Sequence, residues 1–174
     1  MFFNKLKAIS YVEVLLTLVI VGVISSIAIP TLKKYSQREE LGRLAQKAYL
    51  TLNEAMDMSI VDNGPSYKWE TGKASFTKYI VPYLKVASTP GSYIVVTKDN
   101  MKITCTGASY TSSGSTNELI LTVDVNNDKG PNKSGKDIQG FILNLAESKV
   151  RPNGNDTQKL FENNWKFTNE LWNK

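Results

Sequence analysis

Apolar positions along this chain change their spacing from segment to segment, and each spacing predicts a different element. Residues 9–29 read ISYVEVLLTLVIVGVISSIAI, an almost unbroken apolar run in which Glu13 is the single charge. About 20 such residues cross a bilayer as a helix, so the run is long enough to do so. Further on, Leu41, Leu44, Ala45, Ala48, Leu52, Ala55 and Met56 follow an i, i+3, i+4, i+7 spacing, while Arg38, Glu39, Arg43, Lys47, Asn53 and Asp57 fill the other faces. That spacing predicts an amphipathic helix with one stripe packed on a core. Asp62-Asn63-Gly64-Pro65 is a stop signal, so one helix is predicted over 9–62. Pro30 lies inside it. Proline removes one helical hydrogen bond, and in a membrane-spanning helix this predicts a kink rather than a break.

Past the stop the period shortens. Residues 66–87 read as a loop and then a short helix, with Phe76, Tyr79, Ile80 and Leu84 at helical spacing and Pro82 near its end. Strand-like runs follow at 92–97, 101–106, 118–125 and 138–144, and Lys98-Asp99-Asn100 suits a hairpin loop between the first two. Cys105, inside one of these runs, reads as a small buried side chain. In the polar, Asn-rich stretch 148–174, Asp156 or Thr157 is expected to cap a short helix from Gln158 to about Asn164. Leu160, Phe161, Trp165, Phe167, Leu171 and Trp172 dock this tail onto its own domain, or else Trp165 and Trp172 form an exposed subunit contact. The fold class is therefore α+β: a long N-terminal helix against a small antiparallel sheet of three or four strands.

Composition narrows the chemistry. The chain has 174 residues, no His and one Cys. Neither a Ser-His nor a Cys-His pair exists, and a zinc site built from His and Cys is excluded along with any intrachain disulfide. Twenty-one Lys and Arg face 16 Asp and Glu, a net +5 that is scattered along the chain and indicates no nucleic-acid partner. Carboxylate chemistry, oxygen-ligated metals and binding stay open. Asp124, Asp128 and Asp137 are the one carboxylate cluster, and nothing beside them reads as a substrate pocket, so no enzyme activity is expected.

Three readings fit the N-terminus. Lys5 and Lys7 precede the apolar run, as in a secretory signal peptide that would be cut after Ser26-Ile27-Ala28. A plain signal anchor is the second reading, with Lys33 and Lys34 flanking the far end. In the third Glu13 is functional, because an ionised carboxylate in hydrocarbon costs several kcal/mol, on the order of 3 or more, and seeks a partner.

The residues Lys5-Leu6-Lys7-Ala8 followed by Ile9-Ser10-Tyr11-Val12-Glu13-Val14-Leu15-Leu16 resemble the processing site of type IV prepilins and type II secretion pseudopilins. The resemblance implies a cut between Ala8 and Ile9, N-methylation of Ile9, and a Glu at the fifth mature position, which is Glu13. Pro30 then falls where the family commonly carries a proline. The chain departs from the pattern in having Ala8 where Gly is usual and Ile9 where Phe is usual. The family's assembly role for this Glu matches a physical argument: a neighbouring subunit's Glu13 neutralises the new α-amino group of Ile9 only at the correct vertical offset.

The resemblance implies residues 1–8 as leader, 9–30 as the transmembrane or filament-core half of the helix, 31–62 as its amphipathic half, and 63–174 as a pilin-like head. It further implies a prepilin peptidase, a membrane stage with a cytoplasmic N-terminus, and a homopolymer or pilin co-subunits in a pilus or a pseudopilus. No cofactor is expected, with one candidate left open. Asp124-Val125-Asn126-Asn127-Asp128 alternates oxygen side chains as the first half of an EF-hand loop does, with Asp137 as a late ligand for calcium. Lys129 stands where such a loop needs Gly, and Gly135 where it needs Glu. The competing reading is a turn in which Asp and Asn accept backbone hydrogen bonds. The reading from another class is a membrane-anchored or secreted calcium-binding or interaction domain.

Overall fold

The computed structural model describes residues 10–110 and 116–173. Two compact units divide the chain, residues 1–37 and 38–174. Helix α1 (Tyr11–Asn63) contributes to both. The predicted helix is thus present with its end within one residue of expectation, and Gly64, at φ +77°, takes the left-handed conformation that terminates helices.

In the first unit the side chains of α1 are almost all exposed, Leu16, Leu18, Val21 and Ile27 among them. Helical structure continues across Pro30. There the Ser26 carbonyl has no N–H donor four residues on, and hydroxyls supplement the helix: Ser26 Oγ donates to the Val23 carbonyl at 2.7 Å and Thr31 Oγ1 to the Ile27 carbonyl at 3.0 Å.

In the second unit the stripe is buried as its spacing predicts: Leu41, Ala45, Ala48, Leu52, Ala55 and Met56 are covered, and Leu44 is half-buried. They share one core with alternate residues of the sheet, including Ile103, Cys105, Leu119, Leu121, Val123, Phe141 and Leu143. Small residues let the helix sit close. A Cβ on Gly42 would lie 2.2 Å from the Trp165 carbonyl oxygen, so only Gly fits there.

The sheet is an antiparallel meander in the order β1–β2–β3–β4–β5–β6: Val86–Gly91, Ile94–Thr97, Lys102–Tyr110, Thr116–Asp124, Ile138–Asn144 and Lys149–Asn153. Six strands replace the three or four expected. The inner four match the predicted runs, and the additions are the two edges. Residues 98–101 form the expected hairpin connection, with Asn100 at φ +62°.

The segment before the sheet is a π turn (Phe76–Ile80) followed by a 3-10 turn (Val81–Tyr83), not a regular short helix. Phe76, Tyr79, Ile80 and Leu84 are nonetheless all buried. Tyr83 ties this segment to the end of α1: its hydroxyl donates to Asp62 Oδ2 at 2.9 Å and accepts from Asn63 Nδ2 at 3.0 Å. Burial and that carboxylate both raise the phenol's pKa.

Two short helices, α2 (Asn155–Glu162) and α3 (Asn169–Asn173), complete the head. The expected cap at Asp156 or Thr157 is not one. The helix begins earlier, behind Gly154 at φ +88°, without a side-chain cap. Thr157 Oγ1 is instead engaged with the sheet, donating to Gln139 Oε1 at 3.0 Å and accepting from the Gly140 N–H at 3.2 Å. Trp165, Phe167, Leu171 and Trp172 are buried. Trp165 stands 5.4 Å from the Tyr49 ring of α1 and 5.6 Å from Phe161. The tail is therefore docked on its own domain, and Trp165 and Trp172 are not an exposed contact.

Candidate functional site

Glu13 lies in the first turn of α1. Its Oε2 accepts the backbone N–H of Ser10 at 2.9 Å, while Ser10 Oγ accepts the N–H of Val12 at 3.3 Å. This reciprocal arrangement is a capping box, which satisfies N–H groups that the first helical turn leaves without partners. Ser10 went unassigned in the sequence reading, although the S-x-x-E spacing at the head of an apolar run is its signal. Around Glu13 the helix presents Tyr11, Val12, Leu15 and Leu16, all exposed. Glu13 thus has a local role in starting the helix, and Oε1 has no partner among the described residues. Ala8 and Ile9, the predicted processing pair, lie outside the described residues. By length and composition α1 is the one described helix able to cross a membrane.

The Asp-Asn loop after β4 forms a second candidate site. Asp124 Oδ1 accepts from the Asn126 N–H at 3.2 Å and Oδ2 from the Asp128 N–H at 3.1 Å. Asp137, fully buried, receives the N–H groups of Asn132 at 2.6 Å and Lys133 at 2.7 Å. Asp128 Oδ1 sits 3.3 Å from Lys102 Nζ. Asn127, Asp128 and Asn132 adopt positive φ, at 47°, 57° and 48°, which Asn and Asp tolerate better than most residues.

Calcium takes six to eight oxygens. Of the four side chains expected to supply them, Asp124 and Asp137 each commit both oxygens to backbone N–H groups, and Asp128 faces an ammonium. Asn126 Oδ1 alone is buried without a hydrogen-bond partner. No three carboxylate or Cys groups converge on a metal-sized space among the described residues. These contacts are those of a hydrogen-bonded turn.

Cys105 is buried in the sheet, 2% exposed, and its thiol lies 3.5 Å from the Gly107 carbonyl. Burial pushes its pKa up to about 11, against smaller lowering effects of Lys73 and the Gly107 backbone. Such a thiol is packing material, not a nucleophile.

No protein-family model, curated protein or solved structure matches this chain.

Proposed function

We propose that this chain is a structural subunit of a type IV pilus or a type II secretion pseudopilus. In this reading a prepilin peptidase cuts between Ala8 and Ile9, Ile9 is N-methylated, and the mature subunit polymerises through its N-terminal helix. Before assembly it is held in the inner membrane by that helix, with the N-terminus cytoplasmic. It needs no cofactor and catalyses no reaction. The observation that carries the reading is Glu13: a lone carboxylate in an exposed apolar helix, at the fifth position counted from Ile9. The α+β head, with the helical stripe buried against an antiparallel sheet, is what the same reading requires.

Glu13 would serve two partners. Oε2 starts its own helix through Ser10, and Oε1 is left to neutralise the α-amino group of a neighbour's Ile9. Gln at this position keeps the capping bond but not the charge. Glu13→Gln and Glu13→Ala are therefore both expected to insert in the membrane and both to lose assembled protein. Leaving one member of a buried pair alone costs about 3–5 kcal/mol, so the loss is on the order of a hundredfold or more. Quantifying sheared filaments against membrane-bound protein checks this. Normal filaments from Glu13→Gln would sink the pairing.

A further inference from the structure

Among the described residues, nothing covers the helix face opposite the buried stripe. Leu50, Glu54, Asp57 and Val61 recur at spacings of four, three and four, which places them on one side of α1. All four are exposed, Leu50 by 56% and Val61 by 83%, with Met58 beside them. Glu54 and Asp57 make no hydrogen bond or ion pair among the described residues. Arg43 and Lys47, which precede them on α1, are already engaged by Glu39 and Asp99. An exposed face that combines large apolar side chains with two unpaired carboxylates is matched by a basic segment with apolar side chains of its own.

Among the described residues, one segment sets two adjacent lysines between exposed apolar side chains; Lys68, beside exposed Tyr67, is a single charge already held over that ring. Lys33 and Lys34 are exposed, make no ion pair among the described residues, and are flanked by exposed Leu32 and Tyr35. Lys85, Lys98, Lys129 and Lys149 stand singly, with no exposed large apolar side chain next to them in sequence.

We propose that the Leu50–Glu54–Asp57–Val61 face of one copy docks against the Leu32–Lys33–Lys34–Tyr35 segment of a second copy. The inference rests on the filament-subunit reading and adds a contact to it. In-register packing of identical helices would bring Glu54 and Asp57 against themselves, and like charges in juxtaposition are costly. A parallel stagger of 20 to 24 residues, the sequence spacing between the two charge sets, brings opposite charges together. The Glu13-to-Ile9 contact needs an offset of only four residues. One neighbour cannot satisfy both offsets, so each subunit meets at least two different neighbours along α1.

Charge exchange in the full-length chain, in cells that assemble it, tests the proposal. Glu54→Lys with Asp57→Lys is expected to lower assembled protein roughly tenfold, as is Lys33→Glu with Lys34→Glu, and the fourfold exchange is expected to restore most of it. Failure of the exchange to restore assembly would overturn the docking, and would leave the lysines a role such as binding lipid headgroups. A second readout does not depend on charge. Lys33→Cys with Glu54→Cys, in a Cys105→Ala background, is expected to give an oxidised ladder of dimers, trimers and higher species, while either cysteine alone gives at most dimers. Absence of the ladder in assembled material would likewise overturn it. If the unsubstituted chain forms no filament in those cells, the broader subunit reading fails instead, and the two failures are distinguishable.

Discussion

The two stretches of α1 differ in how apolar residues are arranged, and the difference separates two kinds of stability. Over residues 11–37 Val, Leu and Ile are exposed around the helix, and the segment is rich in β-branched residues that are mediocre helix formers in water. Nothing among the described residues of its own unit buries them. Such a helix is stable in apolar surroundings, lipid or a bundle of like helices, where every backbone group must bond internally. Over residues 38–63 a single stripe is buried, rich in Ala and Leu, and the rest of the surface is polar with a few exposed apolar side chains. This stretch draws its stability from the core it packs on. All-round apolarity points to an environment; a 3.6-residue period points to a neighbour.

The most forceful way to break that comparison is to truncate one large apolar side chain in each unit. Phe141 is fully buried, 6.3 Å from both the Tyr49 and Trp165 rings. Phe141→Ala should destabilise the head by about 3–5 kcal/mol. Leu18→Ala should change head stability by no more than about 0.5 kcal/mol. Urea unfolding of the full chain in detergent, followed by tryptophan fluorescence, reads both, because Trp69, Trp165 and Trp172 all lie in the core. Comparable losses from the two variants would show that the first stretch is not independent of the head.

A smaller effect sharpens the account of the head. Asp137→Asn, whose single amide oxygen replaces the two buried carboxylate oxygens that accept the Asn132 and Lys133 N–H groups, should cost about 1–3 kcal/mol. Chelator or added calcium should leave the melting temperature of the unsubstituted chain unchanged. A calcium-dependent rise would identify Asp124, Asn126, Asp128 and Asp137 as ligands.

The smallest effect is alkaline. Below pH 9 the Cys105 thiol is protonated in both folded and unfolded states and contributes no pH dependence. As pH rises past the ordinary value of 9.0 the unfolded thiol ionises, while the folded one stays protonated until about 11. Stability therefore falls over that window. Cys105→Ala should remove this part of the slope in a comparison of the two unfolding curves at pH 8.5 and 10.5.

How far the molecule was legible follows from where its signals are local. The stripe from Leu41 to Met56 and the stop at Gly64 declare themselves through spacing and backbone preference alone. The inner strands do so through alternation; β5 matches its predicted run end to end. The edge strands were silent. β1 is mostly exposed and contains Pro90, while β6 has Val150 as its one fully buried side chain and ends near Pro152. Both are strands because β2 and β5 offer them ladders, a non-local cause. The tail helix followed the same rule: Thr157 looked like a cap, but its hydroxyl is committed to Gln139 and Gly140 across the fold. At the candidate site the lone charge of Glu13 in an apolar run was legible, and its bond to Ser10 follows from the S-x-x-E spacing. In the Asp-Asn loop, composition left two readings open, and the contacts that distinguish them, Asp124 and Asp137 on backbone N–H groups and Asp128 on Lys102, depend on how the loop folds.

The central claim is best tested at the first residue of the mature chain, read by mass spectrometry of a membrane fraction from a host with a prepilin peptidase. The account predicts that the chain begins at N-methylated Ile9. A chain beginning at Ile29, or one retaining Met1, would contradict it: the first would make residues 1–28 a discarded signal peptide, and the second would leave α1 a plain anchor.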